Sequence, residues 1–316
     1  MKISVLDRDS LGRDLPLDAL QAFGDVSVFP STKADETVQN IADSEVILIN
    51  KVKISDDVME KCRSLRLICI FATGFDNVDI SAARRRGIAV CNVPGYSTDS
   101  VALCTVATVL SLVTHLREYN KYVTDGDYSA SGVPNRLEPV FHELKGKVWG
   151  IIGAGNIGRA VARIAESFGT EVIVNKRTET AEFKCVDIDT LVSTSDIITI
   201  HCPLNEQSRG LINSQRIKKM KKSVIIVNEA RGAVVVDEDI SDAVINGHIG
   251  GFGSDVYTSE PFSVEHPFDK IKHLDNVLLT PHFAWGAYES RVRCLEIVCK
   301  NIGAFISGQT LNRVDI

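Results

Sequence analysis

The chain reads as an α/β protein made of two doubly wound, Rossmann-like parallel-sheet domains. Three observations predict this: short continuous apolar runs rich in β-branched residues, helix-like segments alternating with them, and a length of 316 residues. Apolar runs separated by longer segments suit strands covered on both faces, as in parallel sheets. A chain of this length exceeds what one hydrophobic core usually organises, so two cores are expected.

The N-terminal part carries the strand candidates KISVLD, VSVF, EVILIN, RLICIF and IAVCNV. Arg84, Arg85 and Arg86 close a helix-like stretch before Gly87, where cations complement the negative end of a helix. The most apolar long segment, Val101 to Leu116, belongs to a helix expected near 99–120. Thr, Ser, Cys and His interrupt it, and it falls short of the ~18 apolar residues of a membrane span. A helix apolar nearly all round is buried in protein, here against a second subunit, so a homodimer is expected. The polar stretch TDGDYSASGVPNRLEP then reads as a loop.

A second α/β series opens with GKVWGIIGAGNIGRAVARIAESFG and continues through TEVIVN, SDIITI, KSVIIVN and NVLLTP. Ile157, Ala160, Val161, Ile164, Ala165 and Phe168 recur at helical spacing, and Gly169 lies where a left-handed helix stop is wanted. Glu289 to Gly308 has helical character and is expected to pack back on the first domain. The domains are therefore set at 1–98 plus 285–316 and at 99–284, with the active site in the cleft between them.

A net charge of -6 without a basic run long enough to follow a phosphate backbone argues against nucleic acid as a partner. The eight cysteines form no CxxC pair and several lie inside apolar runs, so reduced thiols are expected, with neither disulfides nor a metal site. The start MKISVLD resembles a first strand rather than a signal peptide. The cytoplasm is the expected location, away from any membrane.

GAGNIG sits between a strand and a helix, the context that gives each glycine a task. Gly153 makes the turn, Gly155 lets the backbone approach a pyrophosphate, and Gly158 allows close helix packing. Asn156 and Ile157 open the helix beside that anion. The next strand should end in a carboxylate if the adenosine ribose has a free 2′-hydroxyl. Instead the chain reads Asn175-Lys176-Arg177-Thr178. Lys and Arg attract a 2′-phosphate that a carboxylate would repel, so NADP(H) is favoured over NAD(H).

Three further polar residues follow strand candidates: Arg231 in VNEARGAVVVDED, Glu260 in DVYTSEP and His282 in LLTPHFAW. The carboxyl ends of strands are where α/β sheets place ligands. A planar guanidinium can hold a carboxylate and a carbonyl oxygen, and a carboxylate beside an imidazole favours its protonated, proton-donating form. The trio suits hydride transfer to a small 2-keto acid. Taken singly, each has an ordinary reading: His282 as a turn cap, Glu260 as a solvated side chain, Arg231 as a partner of Glu229. His115, His142, His201 and His248 receive no catalytic role.

With these blocks the chain resembles the D-isomer-specific 2-hydroxyacid dehydrogenases. The resemblance runs from FATGFDNVDISAARRRGIAVCNVPGYSTDSVA through GIIGAGNIGRAVARIA to VNEARG, DVYTSEP and TPHFAW. It implies catalytic roles for Arg231, Glu260 and His282, and carboxylate binding by the backbone of Ala72, Thr73 and Gly74, with Thr73 also near the nicotinamide. It places Asp255 at the nicotinamide amide, and Cys202, Pro203, Glu229 and His282 along the cofactor. Within the family the blocks are most similar to glycerate dehydrogenases, also called hydroxypyruvate reductases. Trp285, just past the histidine, is the substrate-side feature for that subgroup, and its ordinary reading is a core aromatic.

Two positions depart from the family pattern. Glu229 replaces a small or neutral residue, and a carboxylate so close to Arg231 is expected to weaken its charge or repel an anionic substrate. Ser254 replaces an apolar residue and is expected to affect packing. The alternatives are lactate-type or phosphoglycerate-type substrates for the same chemistry, or a dinucleotide-sensing role like that of co-repressor relatives.

Overall fold

A computed structural model describes residues 1–177 and 181–316. They form two compact units, Met1–Ser97 with Trp285–Ile316, and Thr98–Ala284.

The first unit holds strands β1 (Lys2–Val5), β2 (Asp25–Val28), β3 (Val46–Ile49), β4 (Leu67–Ile70) and β5 (Ala89–Cys91), all parallel, in the order β2-β1-β3-β4-β5. Each lies in one of the apolar runs read from the sequence. Every residue of β3 and β4 is buried, as continuous apolar runs require. Leu67 and Cys69 face the layer containing Cys294, Leu295, Val298 and Ile302 of the helix Tyr288–Ile306. Ile68 and Ile70 face the opposite layer, with Ala82 and Ala83 of the helix Ile80–Arg86. That short helix starts on Asp79, whose carboxylate accepts the Ala82 amide, and stops on Gly87 at φ +68°. The arginine cluster is spent locally: Arg85 and Arg86 pair with Asp56, Arg86 also with Glu60, and Arg84 donates to the Asp315 carbonyl.

The second unit has seven parallel strands: β6 (Val148–Ile152), β7 (Glu171–Asn175), β8 (Lys184–Cys185), β9 (Ile197–Ile200), β10 (Ile225–Asn228), β11 (Gly251–Ser254) and β12 (Val277–Leu279). Their order is β12-β11-β10-β9-β6-β7-β8. The chain enters mid-sheet at β6, winds outward to β8, then returns to the other side of β6 at β9. This reversal leaves a crevice at the carboxyl ends of β6 and β9, where such sheets bind ligands.

Three features differ from the sequence reading. The segment expected as one helix is two, Thr98–Val113 and Leu116–Thr124, bent by 65°. At the break His115 is left-handed (φ +51°), and the Thr114 hydroxyl bonds back to the Leu110 carbonyl at 2.6 Å. No single helix among the described residues is long and apolar enough to cross a membrane. The polar loop contains a helical turn, Asp127–Ser131.

Strand β11 is absent from the apolar runs because it is GFGS, and glycine is depleted in strands. Packing explains it. A Cβ on Gly253 would overlap Thr108 Cγ2 of the helix Thr98–Val113 and crowd Val227 of β10. The bare strand lets that helix lie directly on the sheet, with Val109 and Leu112 buried beneath it. Gly253→Val should therefore overpack this layer and cost about 1–3 kcal/mol. The reading is the midpoint of urea unfolding, which should fall without loss of secondary structure in the native protein.

Candidate active site

The glycines of the turn after β6 stand in three different surroundings. Gly153, at φ +93°, has the Cys202 backbone nitrogen 2.5 Å from where a Cβ would stand, and a Cβ on Gly158 would overlap the Gly153 carbonyl. Around Gly155 a Cβ would meet nothing within 4 Å. Gly155 is the N-cap of the helix Asn156–Ser167, which has neither a side-chain cap nor an acidic residue in its first turn. The positive end of this helix, with its first amides uncapped, thus opens onto free space beside a bare backbone, an arrangement that fits a pyrophosphate.

Neighbouring strand ends complete this half. Cys202 follows β9, and burial pushes its thiol up to about 11, so it lines the turn as a neutral group. Pro203 accepts the Ser208 hydroxyl at 2.7 Å. At the end of β7 the Asn175 carbonyl accepts the Gly153 amide at 2.8 Å, and its side-chain amide donates to Val186 at 3.0 Å. Asn175 is therefore committed on its donor side to holding the edge of the fold. Lys176 is half-buried and Arg177 exposed, and among the described residues neither makes an ion pair. Thr178 lies outside the described residues.

The other half stands at the ends of β10, β11 and β12. Asn228, fully buried, accepts the Ala230 amide at 3.1 Å and donates to the Arg231 carbonyl at 3.0 Å, which ties Arg231 to the strand end. A Cβ on Gly232 would overlap the backbone of Tyr257 and Thr258, so glycine lets the arginine loop touch the segment leading to Glu260. Glu260 accepts the Tyr257 amide through Oε1 at 3.1 Å and meets His282 Nδ1 through Oε2 at 2.6 Å. A carboxylate only accepts, so Nδ1 carries hydrogen and Nε2 is left to exchange a proton. Asp255 takes Thr280 Oγ1 at 2.6 Å and the Phe283 and Ala284 amides at 2.9 Å each. His282 lies inside that arc at φ +52°. Tyr257 adds a hydroxyl bond to the Thr280 carbonyl at 2.7 Å.

Sequence reasoning passed over Asn228, Tyr257 and Thr280, although each flanks a residue it chose. It also missed a buried cluster behind them. Asp237 accepts the Thr258 hydroxyl and meets His266 Nε2 at 3.0 Å, while His266 Nδ1 accepts the Phe268 amide. These contacts anchor the Glu260 loop to the helix Asp237–Ile245 on both sides of the glutamate.

Glu229 differs from expectation. Its Oε2 is buried without a partner, and burial, reinforced by Asp255, raises its carboxyl well above the usual carboxylate range. Burial thus opposes the negative charge that the sequence reading set against Arg231. Ser254 also does more than pack: its hydroxyl donates to Val256 at 2.7 Å and shapes the turn into Asp255. Burial lowers His201 to about 3, so its ring is neutral, with no catalytic proton to give.

In the first unit, the loop after β4 carries Ala72, Thr73 and Gly74. The Thr73 hydroxyl donates to Val93 at 2.8 Å, its carbonyl accepts from Asn92 at 2.7 Å, and the Ala72 carbonyl takes the Val93 amide at 2.9 Å. These bonds fix the carbonyl side of the loop; among the described residues the Thr73 and Gly74 amides have no acceptor. Trp285 packs half-buried against the core of this unit, its ring edge to Tyr96 with centroids 6.2 Å apart.

An uncapped helix at a glycine turn, followed along the same sheet edge by an arginine and a carboxylate-bound histidine, defines a nicotinamide-dependent oxidoreductase. The family model for the NAD-binding domain of D-isomer-specific 2-hydroxyacid dehydrogenases matches residues 106–284, and the chain belongs to that family. It is an NAD-binding oxidoreductase acting on 2-hydroxy acids. A hydroxypyruvate reductase of Blautia hydrogenotrophica is 35% identical over 100% of both chains. The D-lactate dehydrogenase of Aquifex aeolicus, solved with NAD and lactic acid, superposes with a TM-score of 0.87 at 27% identity, covering 100% of this chain and 99% of that one. An acyclic imino acid reductase solved with NADPH and D-Arg gives 0.86 at 26% identity, over 99% and 100%.

Because Gly155 faces open space, Gly155→Val should leave the melting temperature unchanged and weaken dinucleotide binding at least tenfold, roughly 1.4 kcal/mol. Fluorescence titration with reduced cofactor, run beside thermal melting, separates the two effects.

Proposed function

We propose that the protein reduces a small 2-keto acid, hydroxypyruvate or glyoxylate, to D-glycerate or glycolate, with His282 as the proton donor. The observation that carries this reading is the 2.6 Å contact between His282 Nδ1 and Glu260, in line with Arg231 and the glycine turn along one sheet edge. The bound cofactor supplies the hydride. His282, as the imidazolium, delivers its Nε2 proton to the carbonyl oxygen, and the Glu260 carboxylate at Nδ1 orients the ring and stabilises its protonated form. Arg231, pinned by Asn228, holds the substrate carboxylate and polarises its carbonyl, and the Thr73 and Gly74 amides with Ala72 supply further anion contacts. Asp255 orients the nicotinamide amide, and Trp285 limits the substrate side chain. The full-length similarity to a hydroxypyruvate reductase favours this acid over lactate-type substrates.

Lys176 and Arg177, standing where a ribose-binding carboxylate would be, favour NADP(H) over NAD(H). Leu103, 66% exposed, and Ala107 lie one turn apart on the exposed side of the helix Thr98–Val113, and exposed Phe141 stands by its C-terminal end near Leu110 and Val113. Such a surface fits the interface of a homodimer. The eight free cysteines accord with a cytoplasmic location.

A panel of 2-keto acids assayed separately with NADH and NADPH tests substrate and cofactor together. The highest kcat/KM should fall on hydroxypyruvate or glyoxylate with NADPH; turnover confined to pyruvate would reverse the substrate assignment. His282→Ala should lower kcat by about 10²–10⁴-fold with cofactor affinity retained, whereas Arg231→Ala should lower kcat and raise KM. Replacing Lys176 and Arg177 by Ala should weaken NADPH binding and spare NADH.

A further inference from the structure

Glu229 stands on the path that the cofactor must take. The pyrophosphate turn is at the end of β6, the reacting groups are at the ends of β10 to β12, and β9 alone separates β6 from β10. With strands about 4.8 Å apart, a ring that reaches Arg231 and His282 from the glycine turn passes the end of β10. Glu229 is the first residue there, and its amide bonds the Ile200 carbonyl of β9 at 3.3 Å. The residue is half-buried and so borders the crevice, yet its Oε2 is wholly buried and has no partner.

The groups around it come from four directions. Asp255 past β11 raises its carboxyl, and the Cys104 thiol from the helix Thr98–Val113 and the Tyr257 hydroxyl lie close enough for a charge on Glu229 to raise them. His201 at the end of β9 is neutral. On its own segment Arg231 turns Nη1 to the Ala230 carbonyl at 2.8 Å. No ion pair joins Glu229 to a cation among the described residues, and the Asp255 carboxylate adds to the effect of burial on it. A buried acid so placed keeps its proton until a positive charge arrives.

We propose that Glu229 is a charge-compensating group for the nicotinamide, protonated beside the reduced, uncharged ring and ionised beside the oxidised, cationic one. Binding the oxidised cofactor then releases a proton from Glu229 to solvent, and dissociation returns it. This proton is separate from the one His282 gives to the carbonyl oxygen. Rising pH strips Glu229 and strengthens attraction for the cationic ring, so affinity for the oxidised form climbs with pH relative to the reduced form. The inference rests on the cofactor placement in the proposed function.

Calorimetric titration of the full-length protein with NADP+ and with NADPH, in two buffers of different ionisation enthalpy between about pH 6 and 9, counts the protons directly. In the native protein NADP+ should release up to one proton more than in Glu229→Gln, and its affinity relative to NADPH should rise by up to about tenfold per pH unit. Glu229→Gln should bind both forms with a flat ratio, and Glu229→Thr provides the same comparison if glutamine perturbs the fold. Equal proton release by native and variant proteins, with both cofactors bound, overturns the role of Glu229 alone. Failure of the native protein to bind either NADP(H) or NAD(H) overturns the cofactor placement as well.

Discussion

The bonds to Asp255 set the position of the segment that carries the proposed proton donor. With 2% of its surface exposed, Asp255 has the Thr280 hydroxyl and two successive amides in place of water. Bonds to a charged acceptor contribute roughly 1.5–3 kcal/mol each. Between the bonded residues, His282 adopts a left-handed backbone that ordinarily costs on the order of 1–3 kcal/mol. The clamp holds the imidazole where local preference alone would not, and Glu260 then needs only to meet it.

Three acidic side chains near this edge show how burial divides otherwise identical groups. Asp255 is fully bonded. Asp237 is bonded on one oxygen to Thr258 and His266 and bare on the other. Glu229 has no partner at all for its buried oxygen. The first fixes a loop and the second anchors the Glu260 segment. The third keeps an electrostatic response in reserve, since an unsatisfied buried acid is sensitive to any charge placed beside it.

Much of this was legible because period and position carry it. Apolar runs mark ten of the twelve strands among the described residues, and the order of strand, glycine turn and helix marks the turn proposed for the dinucleotide. The proposed trio of Arg231, Glu260 and His282 was legible for the same reason, each member following a strand or lying in the loop after it. What escaped depended on contacts distant in sequence. Strand β11 is glycine-rich because of a helix some 140 residues earlier, at Thr108. The break at His115 leaves no proline or glycine as a sign. Glu229 looked like a charge because nothing in its neighbours reveals how deeply its carboxyl is buried.

The first unit is assembled from both ends of the chain, and this imposes an order on its making. Thr98–Ala284 emerges from the ribosome as one uninterrupted segment and can condense by itself. The sheet of β1 to β5 must wait, because Cys294, Leu295, Val298 and Ile302 complete one of its faces and Asn301 and Asp315 satisfy the backbone of Asn92 and Val90. Until then Leu67, Cys69 and Val93 present an uncovered apolar surface. During synthesis, therefore, the sheet whose strands are translated first is the one completed last.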